Sequence, residues 1–180
     1  EAILDFIAGE AFAAHFDGYW AQHNFFAYHN LTQKKWYLLP WSLDQVFLTQ
    51  SNPFNGGGIL KEKCLADERC KIEFITRAGA IAATLAALDL PTRLDEVASF
   101  IREAAHADPR KEVSNETLDA QQAGVRHWLE ERAESFQAKM SCLVDGRDPD
   151  GDNDGFGACI SDCDDLNAAV HVGATELCNG

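Results

Sequence analysis

The chain has 180 residues, of which 46% are apolar, and its 29 acidic against 15 basic side chains give a formal net charge of −14. This length can bury a core, and the apolar fraction excludes wholesale disorder. With no run of 18 apolar residues, we expect no membrane span. The negative charge argues against nucleic acid or anionic lipid as the main partner and favours cation binding.

Charge and cysteine are concentrated near the end of the chain. Residues 141–180 hold eight Asp, one Glu and one Arg, and therefore −8 of the total charge, together with four of the six cysteines. This contrast predicts a globular body over residues 1–140 and an acidic, Cys-containing tail over residues 141–180. The even number of cysteines favours disulfides and an oxidising compartment.

The first third of the body predicts a helix and a hairpin. Residues 1–14 place apolar side chains at helical spacing. The aromatic, β-prone segments 24–29 and 35–39 flank the largely polar residues 30–34, which predicts a β-hairpin with a five-residue loop. Pro40 is expected to end the second strand.

The rest of the body is predicted to be helical. Breakers in residues 48–62 predict a loop, and helical patterns follow over 67–88, 92–107 and 114–140. Thr92 is a candidate N-cap of the second of these helices. The third has an apolar stripe formed by Val125, Trp128, Leu129 and Phe136. The fold class is therefore α+β, mostly α.

Three polar side chains are predicted to meet at the open end of the hairpin. Asn24 begins the first strand, Asp44 follows the second, and Asp17 lies on the loop just before them. Paired strands are about 5 Å apart, so these oxygen atoms should share one rim. Such a set suits Mg²⁺ with a nucleotide phosphate, although Asp-Gly turns and Asn caps also arise without any function.

Three motifs around these residues resemble one known family. HFDGYW over residues 15–20, HNFFAY over 23–28 and WYLLPWSLDQVF over 36–47 are similar, in order and spacing, to the CotH (spore-coat protein H) kinase family. The resemblance implies a secreted or surface-exposed protein, in a spore-coat or cell-surface context, with a protein-kinase-like fold. It also implies transfer of phosphate from ATP, with Mg²⁺, to Ser or Thr of a protein substrate.

The resemblance assigns roles residue by residue. Asp17 matches the catalytic-loop Asp, Asn24 the metal-binding Asn, and Asp44 the second Asp of a Pro-Trp-Asp-Leu-Asp motif. Ser42 replaces the first Asp of that motif, which would impair metal binding if that position is the ligand. The family's long final helix carries an Arg, here Arg132.

The same resemblance predicts that this chain is the C-terminal lobe of a kinase. The family's nucleotide-binding lobe, with its phosphate-pairing Lys, precedes the equivalent of Glu1. We therefore expect no phosphorylation by this piece alone. The competing interpretation is a catalytically inactive surface scaffold, a pseudokinase, whose tail is a calcium-stabilised spacer.

Two further side-chain sets near the hairpin have alternatives of their own. His15, His23 and His29 could hold zinc, but their spacing favours packing or polar contacts. We expect four aromatic residues near the hairpin to lie in the core and in the wall of the cleft. A platform on which sugars or bases stack is the less favoured interpretation. These residues are Trp20, Phe25, Trp36 and Trp41.

Cys64 and Cys70 form a C-x₅-C pattern at the start of a predicted helix. In an oxidising compartment they should form a local disulfide, and otherwise they would be two reduced core cysteines.

The tail contains a calcium-loop pattern. Residues 150–155 read D-x-D-x-D-G, in which alternate carboxylates converge on a hard cation and the Gly permits a sharp turn. Position twelve of the loop is Ser161 instead of the Glu of an EF-hand. We expect Ca²⁺ to bind here without an EF-hand fold; a solvated acidic linker is the alternative. The candidate ligands are Asp150, Asp152, Asp154, Asp162, Asp164 and Asp165.

The tail also resembles a second family. DGFG at 154–157, DCDD at 162–165 and GATELCNG at 173–180 are similar to the MopE-type putative metal-binding motif of bacterial surface proteins, over residues 150–180. That resemblance implies an extracellular location and an incomplete last repeat, in which Cys178 lacks its usual partner. The further disulfide candidates of the tail are Cys142, Cys159 and Cys163.

Overall fold

The structure is a computed structural model that describes residues 2–47, 53–54, 57–143, 147–159, 161–162, 164–171 and 173–175. The architecture is α+β and mostly α, which confirms the predicted fold class. In chain order the elements are α1 Ala2–Ala13, β1 Phe25–Asn30, β2 Lys35–Pro40, α2 Ile59–Leu65, α3 Glu68–Ala86, α4 Leu90–Ala107 and α5 Asn115–Cys142.

The hairpin lies where the aromatic pattern placed it. β1 and β2 pair antiparallel, with Phe25 opposite Pro40 at the open end and Asn30 opposite Lys35 at the turn. The connection has four residues, 31–34, one fewer than expected, because Asn30 is still paired. Pro40 is the last residue of its strand, a position where the missing N–H is tolerated.

Polar side chains cap three of the helices: Asp67 caps α3, Asp89 caps α4 and Ser114 caps α5. The prediction of Thr92 as the cap of α4 was wrong, because the Thr92 N–H donates to Asp89 Oδ1 at 3.5 Å. Pro91 needs no backbone donor in the first helical turn, so the helix begins before it, at Leu90.

The segment predicted as a loop over 48–62 is partly helical, because α2 begins at Ile59. Residues 48–52 and 55–56 of that prediction lie outside the described residues. The Cys64–Cys70 disulfide predicted here is present and joins α2 to the first turn of α3.

The core lies between α1, α3 and α5, with α3 packed against both other helices. Phe12, Phe74 and Phe136 are almost fully buried, and the rings of Phe12 and Phe136 meet edge-on with centroids 5.4 Å apart. Ala78 and Ala82 of α3 have no exposed surface, so the neighbouring helix can approach closely. This packing fixes the C-terminal end of α1, from which the candidate site continues.

On α5 the predicted apolar stripe is correct for Trp128 and Phe136, whereas Val125 and Leu129 are only half-buried. The remaining interior positions of this helix belong to Arg132 and Met140.

Arg132 is a buried charge that holds the end of α1. Its Nε donates to the carbonyl oxygen of Phe12 at 3.0 Å, and its Nη2 donates to that of Ala11 at 2.8 Å. The guanidinium also lies over the Phe136 ring, 4.8 Å from its centroid. Burial lowers the pKa of Arg132 to about 10. The bonds satisfy carbonyl groups that a helix end leaves without an intrahelical partner.

The acidic tail is attached to the core. A disulfide joins Cys142, the last residue of α5, to Cys159. Cys159 is buried in the same cluster as Met140 and Leu143. The predicted body boundary at residue 140 thus lies within α5, and Leu143 and Cys159 of the predicted tail belong to the core cluster of the body.

None of the described helices is long and apolar enough to cross a membrane by itself. The consecutive helices α3 and α4 are long and apolar enough for a membrane span only when they are taken together, and the angle between them is 55°.

Candidate active site and candidate metal centre

The turn that follows α1 brings into contact Asp17 and Asn24, two of the three residues predicted to share one rim. Asn24 Nδ2 donates to Asp17 Oδ2 at 2.8 Å. His23 Nδ1 lies 2.9 Å from the other oxygen, Asp17 Oδ1. Asn24 directly precedes β1 and has φ +42°, a left-handed conformation that Asn tolerates better than most residues. Both Asp17 oxygens are therefore oriented by neighbouring side chains.

A buried pair lies beneath this turn. His15, only 2% exposed, places Nδ1 2.8 Å from Glu10 Oε1 and Nε2 3.1 Å from the carbonyl oxygen of Ser42. Glu10 Oε2 accepts from the Tyr19 N–H at 2.9 Å. A Cβ on Gly18 would overlap both Glu10 Oε2 and His15 Nδ1, so the turn packs too closely for a larger residue. The Glu10 carboxylate thus binds one residue on each side of Asp17 in the chain, His15 and Tyr19.

The loop after β2 begins at the same rim. The Trp41 N–H donates to the carbonyl oxygen of Asn24 at 3.0 Å, and His15 binds the next residue, Ser42, through its carbonyl. Position 42 is therefore tied directly to the Asp17 turn. Ser42 has φ +55° and ψ +59°, a left-handed conformation for a non-glycine residue.

Asp44 is hydrogen-bonded to its chain neighbour. Ser42 Oγ donates to Asp44 Oδ1 at 2.6 Å, and this bond is the main cause that lowers the pKa of the exposed Asp44 carboxyl. The structure thus brings Asp17 and Asn24 into direct contact, whereas Asp44 is linked to their turn only indirectly, because its partner Ser42 binds His15. The carboxylate of Asp44 lies beside position 42, where the family motif has its first Asp.

Lys61 is a buried cation that sequence reasoning did not identify. It is 2% exposed, and its Nζ lies 5.5 Å from the centroid of the Trp20 ring. Burial lowers its pKa to about 8, an effect that the charge of Glu10 opposes. Lys61 falls in the segment predicted as a loop, and a lysine there carries no sequence signal of burial.

The three histidines considered for zinc have different neighbours. His15 contacts Glu10 and Ser42, His23 contacts Asp17, and the His29 ring stacks on Trp36 with centroids 4.6 Å apart. Among the described residues, one group of three His, Cys, Asp or Glu side chains has ligand atoms close enough to share an ion, and it lies in the tail.

The aromatic residues near the hairpin divide between the core and the surface. Phe25 packs against the core, with its ring 4.9 Å from that of Tyr19, and Trp20 is half-buried. Trp36 and Trp41 are about half exposed, so these two do not belong to the core.

Asp150, Asp152 and Asp154 form that group in the tail, with one oxygen of each within 4.8 Å of the others. The backbone N–H of Asp154 donates to Oδ1 of both Asp150 and Asp152 at 3.2 Å. Positive φ at Asn153 and Gly155 turns the chain between and after the carboxylates. The alternating pattern therefore folds into the predicted convergent loop.

A fourth carboxylate, that of Asp162, acts on this group through its charge. One carboxylate oxygen, Oδ2, of Asp152, Asp154 and Asp162 is buried without a hydrogen-bond partner. Burial is the main cause that raises the pKa of Asp152, and the charges of Asp154, Asp162 and Asp150 add to it. Buried, unpaired carboxylate oxygens are unfavourable without a cation, so this donor set fits a divalent ion.

Two other candidate ligands have different hydrogen-bond partners. Asp164 Oδ1 accepts from the Leu166 N–H at 3.4 Å, and Asp165 Oδ1 accepts from the Gly151 N–H at 2.7 Å. A Cβ on Gly151 would lie 2.6 Å from Asp165 Oδ2, which explains a Gly at that position.

Position twelve of the loop has a structural contact. Ser161 Oγ accepts from the Gly157 N–H at 3.1 Å, and the next residue, Asp162, donates its own N–H to the Gly157 carbonyl at 2.9 Å. The first carboxylate after this position, that of Asp162, therefore comes one residue later than the Glu of an EF-hand loop. The other disulfide candidates, Cys163 and Cys178, lie outside the described residues.

Comparison with known proteins identifies the body. The model of the family described as CotH kinase protein matches residues 1–136, which include the hairpin, the Asp17 turn and most of α5. No curated protein matches the chain significantly. The family match ends before the acidic tail, so the MopE-type resemblance stays a prediction. With three quarters of its length matched, the chain belongs to the CotH kinase protein family.

Proposed function

We propose that residues 1–140 form the C-terminal, catalytic-loop part of a kinase-like domain that transfers phosphate from ATP to Ser or Thr of a protein. The contact between Asp17 and Asn24 is the observation that carries this proposal. It joins, on the rim of a hairpin, the two residues that the family resemblance assigns to proton acceptance and metal binding. Membership of the CotH kinase family supports the reaction class.

The neighbours of Asp17 support its role as the group that orients the acceptor hydroxyl and takes its proton. Contacts with His23 and Asn24 hold the carboxylate in one orientation. Phosphoryl transfer depends mainly on such positioning and on neutralisation of charge.

Asn24 and Asp44 are the residues proposed to hold Mg²⁺. Because Asn24 Nδ2 donates to Asp17, its amide oxygen is the atom that suits a metal. In Asp44, Oδ1 accepts the hydrogen bond from Ser42, so the other carboxylate oxygen, Oδ2, is the atom proposed to bind the metal. When bound, Mg²⁺ neutralises the developing charge on the phosphates.

The test is phosphate transfer from labelled ATP by the whole natural protein. Asp17→Ala should lower the rate by about 10²–10⁴-fold, the usual contribution of a general base. Asp44→Ala should weaken Mg²⁺-dependent nucleotide binding. Glu96→Gln, on the exposed surface of α4, is the matched control and should leave both quantities unchanged. An Asp17→Ala protein with the wild-type rate would refute the proposal.

A non-enzymatic scaffold is the second candidate, and Ser42 is the observation that favours it. A hydroxyl at this position is a poorer ligand for Mg²⁺ than a carboxylate, and the Ser42 hydroxyl already donates to Asp44. Nucleotide binding without phosphate transfer in the wild-type protein, together with transfer gained by Ser42→Asp, would support the scaffold and refute the enzyme.

We also propose that the acidic loop binds Ca²⁺ through Asp150, Asp152, Asp154 and Asp162. The buried, unpartnered oxygens of the last three support this ligand set. Calorimetric titration should show one site that Asp152→Asn weakens strongly, whereas Asp164→Asn, outside the set, should have little effect. Absence of binding heat at millimolar Ca²⁺ would refute the site.

The proposed location is extracellular, on a cell surface or coat. Two disulfides, Cys64–Cys70 and Cys142–Cys159, favour an oxidising compartment. Membership of the CotH kinase protein family supports ATP and a protein substrate as the proposed partners. The net charge of −14 disfavours nucleic acid.

A further inference from the structure

We propose that Ca²⁺ binding and the Cys142–Cys159 disulfide are thermodynamically coupled, so that each stabilises the other. The inference rests on the calcium site proposed above and concerns its regulation. The ion would order the loop whose carboxylates converge, and the covalent bond holds the end of that loop, at Cys159, on the last residue of α5.

The base of the calcium loop closes at the disulfide. The Cys159 N–H donates to Asp148 Oδ1 at 2.8 Å, and the Ala158 N–H donates to the carbonyl oxygen of Pro149 at 2.8 Å. These bonds bring the two ends of the loop together on either side of the cluster that starts at Asp150. Movement of Cys159 would therefore open the loop at its base.

Cys159 also lies between the two parts of the ligand set. Asp154 precedes it, Asp162 follows it, and the Asp162 N–H returns to the carbonyl oxygen of Gly157 at 2.9 Å. The backbone around Cys159 consequently sets the separation between Asp162 and the other three carboxylates. A calcium ion needs these oxygens at 2.3–2.6 Å, so the affinity depends on that separation.

The disulfide fixes this point to the rigid body. Cys159 is buried against Leu143 and Met140, in the core cluster that also contains Phe136. With the bond intact, the chain between Cys142 and Cys159 is a closed loop with restricted conformational freedom. Without it, ordering of the four carboxylates must overcome both chain entropy and their mutual repulsion. Coupling between binding events is reciprocal, so Ca²⁺ must in turn favour the oxidised state.

The first experiment compares Ca²⁺ affinities by calorimetry on the oxidised 180-residue chain. The double variant Cys142→Ser/Cys159→Ser should bind Ca²⁺ about tenfold or more weakly than the wild type, within the usual range of coupling. The matched control Cys64→Ser/Cys70→Ser removes the other disulfide, which is remote in sequence from the loop, and should change the affinity less than twofold. Equal affinities in all three proteins would overturn the coupling. Absence of binding in the wild type would instead refute the calcium site itself.

The second experiment uses the wild-type chain and serves where the serine variant does not fold. Limited reduction by dithiothreitol, with alkylation and mass mapping of each cysteine, is carried out with and without millimolar CaCl₂. Ca²⁺ should slow reduction of Cys142–Cys159 severalfold and leave Cys64–Cys70 unchanged, and Asp154→Asn should abolish the protection. Equal protection of both disulfides, or none, would overturn the proposal.

Discussion

Arg132 of α5 donates from Nε to the carbonyl oxygen of Phe12, 3.0 Å away across the core. Its second bond, from Nη2, ends at the carbonyl oxygen of Ala11. The last turn of α1 is therefore held by a side chain 120 residues later in the chain. Because Asp17 follows within one short turn, the position of the candidate catalytic carboxylate depends on this long-range contact.

Arg132→Met should destabilise the fold by about 2–4 kcal/mol, because it leaves two buried carbonyl groups of α1 unpaired. Urea unfolding measures the free energy. Arg126→Met is the control on the same helix. Arg126 forms exposed ion pairs with Asp95 and Glu130, and its loss should matter by less than about 1 kcal/mol. Equal losses in the two variants would contradict the structural role of Arg132.

Gly18→Ala should destabilise the protein by about 1–3 kcal/mol and weaken the candidate site. The new Cβ would overlap Glu10 and His15, which cannot move without loss of their own hydrogen bonds. Gly9→Ala, in the middle of α1, is the control: it meets no atom within 4 Å and should be neutral or stabilising by about 0.5–1 kcal/mol. Thermal unfolding of both variants checks the prediction, which fails if Gly18→Ala is as stable as Gly9→Ala.

Ser42→Ala should raise the pKa of Asp44, because the Ser42 hydroxyl is the main cause of its lowered value. Carboxyl ¹³C shifts of Asp44, followed by NMR from pH 2 to 7, give the pKa. Ser99→Ala on α4 is the control and should not change it. An unchanged pKa in Ser42→Ala would show that the bond between Ser42 and Asp44 does not form in solution.

Lys61 should make the stability depend on alkaline pH. Its pKa is lowered from 10.5 to about 8 in the folded chain, so the unfolded chain binds more protons between these values. The destabilising effect of the buried charge is complete below pH 8 and is relieved as the pH rises. Urea unfolding at pH 7 and pH 9.5 gives the free energy of unfolding of the wild type and of Lys61→Met. From the lower to the higher pH, the difference between the two proteins should shift in favour of the wild type by about 1–3 kcal/mol.

Lys63→Met, which changes an exposed lysine of the same helix, is the control for this series and should show no such trend. A pH-independent difference between wild type and Lys61→Met would mean that Lys61 keeps its ordinary pKa.

The sequence could place Asp17 near Asn24 because both lie on the short segment that leads into β1. The hairpin argument itself concerned Asn24 and Asp44, because a hairpin brings its open ends together. It could not decide between Asp44 and position 42. That question depends on a hydroxyl–carboxylate bond and on a left-handed residue, Ser42, which no periodicity reveals. The sequence could also predict that Asp150, Asp152 and Asp154 converge, because alternate positions of one short loop lie close together whatever the rest of the chain does.

Long-range contacts were beyond such reasoning. The pattern on α5 favoured apolar residues, so the depth of Arg132 and its bonds to α1 had no local signal. The burial of Lys61 had none either. The sequence named Cys142 and Cys159 only as candidates, and their pairing follows from the way the tail folds back on α5. Thr92 was misassigned because Pro91 was not recognised as a first-turn residue.

The bond between Cys142 and Cys159 has a consequence for cleavage of the tail. A protease that cuts the backbone once between these residues would leave the downstream segment covalently attached to α5. The nicked protein would keep its mass on a non-reducing gel and separate into two pieces only after a thiol is added. Release of a segment that has been cut between the two cysteines would thus require a reductant as well as the protease.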